Sequence, residues 1–124
     1  MFIVISPLNP DPMYKQVTDQ IKDAIADGTL KTEDKLPSIR EMARELKISE
    51  ITIKRAYADL ENDNFILTRS GLGSFVADIN KDRLRQDKLD EIRSEVTKIL
   101  KSSEKFEISA EDIIQLIHEL GETS

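Results

Sequence analysis

The chain has no cysteine, no tryptophan and one histidine in 124 residues. Without cysteine there is no disulfide framework, no thiolate metal site and no thiol nucleophile. The lone His118 has no second imidazole or thiolate to share a metal with, and reads as a helix-surface residue. Carboxylate pairs such as Asp90-Glu91 and Glu111-Asp112 fall in helical charge patterns, where a solvated face explains them. The expectation is therefore a non-enzymatic protein with no metal and no cofactor. Long apolar runs are missing too. The stretch Phe2-Ile3-Val4-Ile5 is far short of the roughly 18–20 residues a membrane span requires. The opening residues lack the basic region and small-residue cleavage site of a signal peptide, so the cytoplasm is the expected location, with no membrane partner.

Excess positive charge is also lacking. The net charge is −6, which by itself speaks against a nucleic-acid partner. The distribution is more informative than the sum. Residues 1–77 carry ten Lys/Arg against twelve Asp/Glu, net −2, and residues 78–124 carry eight against twelve, net −4. Residues 31–55 hold seven cations (Lys31, Lys35, Arg40, Arg44, Lys47, Lys54, Arg55) against five acids, a local net of +2.

Order along the chain supplies the rest. Asp11-Pro12 is expected to open a first helix, with Asp11 as N-cap and Pro12 at the first helical position. Its apolar stripe is Met13, Val17, Ile21, Ala24 and Ile25, and Gly28 stops it. A polar loop runs to Pro37. Ser38 and Glu41 then form a capping box opening a second helix, with Ile39, Met42, Ala43 and Leu46 inward. Lys47-Ile48 is a tight connector. Ser49 caps a third helix with inward Ile53, Ala56, Tyr57 and Leu60, and Asn64 suits the left-handed position after its end. Residues 65–69 and 74–77 are β-rich runs around a tip at Ser70-Gly71-Leu72-Gly73, a hairpin pattern. A long charged helix is expected from near Lys81, with a narrow apolar stripe (Leu84, Leu89, Ile92, Val96, Ile99, Leu100) like a helix–helix seam. Residues 101–107 read as a break. Ser109 and Asp112 cap a last helix bearing Ile113, Ile114, Leu116, Ile117 and Leu120, closed by Gly121.

Three short helices followed by a hairpin, two of the helices joined by a two-residue turn, is the layout of a winged helix-turn-helix. The fold class expected is mainly α with a small β-hairpin, the winged domain being followed by a C-terminal two-helix dimerisation arm. The third helix would present its N-terminal turn to the major groove, and the hairpin glycines would let the backbone approach a phosphate or the minor groove closely.

The run Leu36-Pro37-Ser38-Ile39-Arg40-Glu41-Met42-Ala43, then Ile48-Ser49 and Thr52-Ile53-Lys54-Arg55-Ala56-Tyr57, resembles the GntR family of bacterial transcription regulators. The wing Arg69-Ser70-Gly71-Leu72-Gly73-Ser74-Phe75-Val76 and the opening Asn9 to Val17 resemble it as well. The likeness covers roughly residues 7–77, and the short two-helix tail is similar to the YtrA-type subfamily. The resemblance implies a sequence-specific regulator, read as a repressor, binding double-stranded DNA as a homodimer on a pseudo-palindromic operator. It divides the chain into a DNA-binding domain, 1–77, and a helical dimerisation segment, 78–124. It places DNA contacts at Arg40, Ser49, Glu50, Thr52, Lys54, Arg55, Arg69, Gly71 and Gly73.

Two positions depart from the family pattern. Glu50 stands where a basic residue is common; it either reads cytosine N4 or serves only the helix dipole. Ile51 replaces a polar residue and either meets a thymine methyl or packs beside the turn. The dimer would be held by Leu84, Leu89, Ile92, Val96 and Ile99 together with Ile113, Ile114, Leu116, Ile117 and Leu120. The tail of about 45 residues is too short to enclose a pocket of the usual ~300–1,000 Å3, so a small-molecule effector, where one acts, belongs at the dimer or domain interface. The rival from another class is a winged-helix protein-interaction module, which would suit the acidic total. An apolar or acidic surface on the third helix and wing would favour it.

Overall fold

The computed structural model describes residues 3–123. Five helices and one two-stranded antiparallel sheet follow in the order α1 (Met13–Ala26), α2 (Ile39–Leu46), α3 (Glu50–Asn62), β1 (Ile66–Arg69), β2 (Gly73–Val76), α4 (Lys81–Glu104) and α5 (Ala110–Thr123). The chain divides into two compact units, the first ending with Lys81 and the second beginning with Asp82.

In the first unit the inward stripes of α1, α2 and α3 close on one another. Val17, Ile21, Met42, Ile53, Ala56 and Leu60 are fully buried, with Leu36, Tyr57, Ile66 and Val76 completing the core. These are the positions that the 3.6-residue period turns to one side. Met13 is the exception. It heads the α1 stripe but is half exposed, because at the first helical position it overhangs the end of the core.

Several boundaries differ from those the sequence suggests, each for a local reason. Pro12, not Asp11, is the N-cap of α1, and no side chain caps it. The Asp11 N–H donates to Asn9 Oδ1, and the Asp11 carboxylate lies 3.7 Å from Lys15 Nζ rather than over the helix end. The segment before Pro37 is not a free loop. The Glu33 N–H donates to the Val76 carbonyl, the Val76 N–H to Asp34 and the Leu36 N–H to Ser74, each at 2.9 Å. Residues 33–36 thus line the outer edge of β2, satisfying groups an edge strand would otherwise leave open. Gly73 belongs to β2, paired with Arg69, so the hairpin tip is Ser70-Gly71-Leu72.

The N-terminal segment is held in a way no pattern announces. The Gln20 carboxamide accepts from the Val4 N–H and donates to the Val4 carbonyl, and Gln16 does the same for Ser6. Two residues of extended chain rise about as far as four residues of helix. Two glutamines one turn apart therefore match alternate residues of the segment, and Ile3 is carried into the core.

In the second unit α4 runs 24 residues, about 36 Å. It includes Lys101–Glu104, where the sequence suggests a break but offers residues compatible with helix. The break is 105–109. Glu107 takes a positive φ of 59°, and the Phe106 and Ile108 N–H groups both donate to the Ser103 carbonyl. The Ser109 hydroxyl accepts from the Asp112 N–H while the Asp112 carboxylate accepts from the Ser109 N–H, capping α5 reciprocally. Gly121 does not end α5, which continues through it. A helical glycine costs only about 1 kcal/mol relative to alanine. Among the described residues of α4 and α5 no side chain is buried.

Candidate nucleic-acid interface

The geometry of α2 and α3 is set by caps and one buried phenol. Ser38 accepts from the Glu41 N–H, and Glu41 reaches back to the Ser38 N–H, so α2 starts at a defined residue. The Tyr57 hydroxyl, from the inward face of α3, donates to the Pro37 carbonyl at 2.8 Å. Burial pushes that phenol far above its usual range, and the Glu41 and Glu45 charges push it further, so it remains a donor. The bond ties the approach to α2 to the body of α3, and Arg40, the second helical residue of α2, projects into solvent from that fixed start.

Lys47 closes α2 in the left-handed conformation at φ 57°, which a non-glycine residue adopts at some cost, and the Ile48 N–H donates to the Ala43 carbonyl. Ser49 then caps α3. Its Oγ accepts from the Thr52 N–H and also hydrogen-bonds Thr52 Oγ1 at 2.7 Å. The two hydroxyls of this turn thus hydrogen-bond each other. Glu50 and Ile51 project outward, and Ile51 is 81% exposed. On the exposed side of α3 lie Lys54 and Arg55. The Arg55 guanidinium stacks on the Tyr14 ring at 3.7 Å, towards α1.

The wing is placed by its own pairing. Arg69 sits over the Phe75 ring and pairs with Glu33 at 3.3 Å. Gly71 and Gly73 have φ of +75° and +113°, the half of conformational space that side chains avoid. At Gly73 a β-carbon would also meet the Lys35 stem at 3.0 Å, so Lys35 is laid along the wing.

Within the first unit the cations sort by location. On α1, Lys15 pairs with Asp19 and Asp11, and Lys22 pairs with Asp63. Lys31, Lys35, Arg40, Arg44, Lys47 and Lys54, on α2, α3 and the segments joined to them, have no ion pair among the described residues. Sequence alone counts Lys35 in the basic run without marking it as a contact. Its position beside the wing depends on residues 33–36 pairing with β2, which no local pattern specifies.

In the second unit Leu84, Val96 and Ile113 are half-buried, and Leu89, Ile92, Ile99, Ile114, Leu116, Ile117 and Leu120 are exposed. The two stripes are not brought together, since α4 and α5 do not form a packed pair within the chain. Phe106 and Ile108, in the turn between them, are exposed apolar residues that periodicity does not reveal. No group of three or more His, Asp or Glu among the described residues is arranged to hold a metal, and none of the described helices is long and apolar enough to cross a membrane.

The model for "Bacterial regulatory proteins, gntR family" matches residues 13–76, from the start of α1 to the end of β2. The HTH-type transcriptional repressor YtrA of Bacillus subtilis (strain 168) is 29% identical over 119 residues, covering 96% of this chain and 92% of its own length. Among solved structures, a GntR family transcriptional regulator from Listeria monocytogenes is 33% identical with a TM-score of 0.72, over 90% of this chain and 96% of that one. The DNA-binding domain of AraR in complex with operator ORX1 is 31% identical with a TM-score of 0.54, over 59% of this chain and 90% of that one. This chain belongs to the GntR family of bacterial, DNA-binding transcription regulators, and is of the YtrA type.

Proposed function

We propose that the chain is a cytoplasmic repressor that binds a pseudo-palindromic DNA operator as a homodimer, reading the duplex with residues 1–77 and dimerising through residues 78–124. The observation that carries the DNA face is the sorting of cations within the first unit. Those of α1 are neutralised by neighbouring carboxylates, while Lys31, Lys35, Arg40, Arg44, Lys47 and Lys54 are left to meet phosphate. In an acidic chain, a local set of unpaired cations is what the phosphate backbone selects.

Arg40 and Lys54 are assigned to phosphate or base edges. The α3 N-terminus capped by Ser49, with Thr52, enters the major groove. Gly71 and Gly73 bring the wing backbone against the DNA, with Arg69 beside it. Arg55, stacked on Tyr14, supplies charge at the flank. Glu50 opposes the phosphates, so its contribution is to choose a base, and Glu50→Arg should shift one position of each half-site towards guanine.

The dimer reading rests on the uncovered apolar residues of α4 and α5. Leu89, Ile92, Val96 and Ile99 recur in steps of three and four, the spacing of a two-helix seam, and Ile113, Ile114, Leu116, Ile117 and Leu120 form a second face. Leu84 extends the first stripe. A two-fold dimer presents two identical reading heads, hence a pseudo-palindromic site. An effector, where one acts, would act at the dimer or domain interface.

The test is selection of bound duplexes from random DNA, followed by affinity measured against salt. With about six to ten phosphate contacts per dimer, affinity should fall on the order of 10³–10⁵-fold between ~50 and ~200 mM salt. A flat response, or no selected sequence, would overturn the assignment in favour of a protein-binding winged helix.

A further inference from the structure

Ile51 is a helical apolar side chain of the first unit whose position its own fold does little to explain. It is second in α3 and 81% exposed, more than any other isoleucine among the described residues. The inward contact of this turn is made by Ile53, which is fully buried. A β-branched residue on a solvated helix face gains nothing from burial and is a poorer helix former than Ala, Glu or Lys. Its neighbours sharpen the point. The Ser49 and Thr52 hydroxyls are closed on each other at 2.7 Å, and the Glu50 side chain projects into solvent. In the first turn of α3 the outward side chains with no hydrogen bond inside the turn are therefore one carboxylate and one sec-butyl group.

The proposed function places this turn in the major groove, and the role of Ile51 rests on that reading. The groove edge of every base pair displays hydrogen-bonding groups, and its one apolar feature is the thymine 5-methyl. Isoleucine neither donates nor accepts. Set against a cytosine amino group or a purine N7, it would strip water and return no hydrogen bond. Set against thymine, it buries methyl on methyl. We propose that Ile51 is a specificity-determining residue that recognises thymine, through its 5-methyl group, at one position of each operator half-site.

The probe is the duplex obtained by selection, in which each thymine is replaced in turn by deoxyuridine. This removes the methyl and leaves every Watson–Crick and groove hydrogen-bonding group in place. Wild type should lose about 3–5-fold per half-site at one position, the worth of one methyl withdrawn from water, and roughly the square of that when both half-sites are changed. Ile51→Ala, which suits an exposed helical site, should bind thymine and deoxyuridine duplexes alike there, and Ile51→Val should keep part of the discrimination. A wild type indifferent to deoxyuridine at every position would overturn the inference, as would an Ile51→Ala protein as sensitive as wild type. Failure to select any duplex would instead overturn DNA binding itself, and this inference with it.

Discussion

The two units of this protein use the same sequence device with opposite outcomes. In α1, α2 and α3 apolar residues recur at helical spacing, and the chain covers them itself: Val17, Ile21, Met42, Ile53 and Leu60 are shut away from solvent. In α4 and α5 apolar residues recur just as regularly, yet among the described residues none is fully buried and most are exposed; Ile117 remains 56% exposed and Leu120 61%. An amphipathic stripe states that a face must be covered. It does not state by what. The first unit answers with three short helices and a hairpin. The second has two helices that do not pack together, which leaves the apolar faces of both largely open.

Substitutions in each unit put that contrast at risk. Leu60→Ala empties a fully buried site and should cost the first unit about 2–5 kcal/mol of unfolding free energy by denaturant titration. Leu116→Ala should leave that transition in place and act on association. If both variants lowered the same transition equally, the second unit would be a covered core after all. Val96→Asp puts a charge into the proposed seam twice per dimer, and sedimentation equilibrium should show the dissociation constant raised about 100-fold or more, near 3 kcal/mol. Unchanged association would remove Val96 from the interface.

Smaller effects address the reading surface. Arg40→Ala should weaken operator binding by about 1–3 kcal/mol per half-site, since its side chain has no carboxylate to leave behind and its loss is felt only by DNA. Lys47 is held at φ 57°, where glycine fits without strain. Lys47→Gly should raise stability by less than about 1 kcal/mol, the relief of strain being partly offset by the freer unfolded chain. It should also flatten the log–log salt slope by about one per half-site if Lys47 meets a phosphate.

The smallest effect is at the end of α1. The Asp27 carboxylate accepts from the Thr29 hydroxyl and N–H, which hold its pKa below the ordinary 3.8. A depressed folded pKa contributes stability that is present above 3.8 and lost as pH falls through the folded value. Thr29→Val removes the hydroxyl donor, the larger of the two, and keeps the N–H, so it should reduce that loss, visible as a raised Asp27 titration midpoint by NMR.

Much of the fold was legible because its signals are local. The Ser38–Glu41 box, the Ser49 cap, the left-handed Asn64 and the Ser109–Asp112 cap each depend on groups within four residues, so composition and spacing specify them. The proposed reading surface was drawn in the same way, from a run of residue types along one stretch. What remained hidden depends on partners distant in sequence. No pattern states that Gln16 and Gln20 will grip Val4 and Ser6, or that residues 33–36 will edge β2 and lay Lys35 along the wing.

Charge makes the division clearest. How many cations residues 31–55 carry is a matter of composition and is settled before the chain folds. Which of the protein's cations are neutralised is a matter of packing, because an ion pair needs its two groups within about 4 Å. The end of α3 brings Asp63 to Lys22, while no carboxylate among the described residues comes that close to Arg40 or Lys54. The same holds for the apolar stripes. Period and composition require that five helices each have a face to hide. Only packing in three dimensions could choose that three of those faces meet within the chain while two stay open.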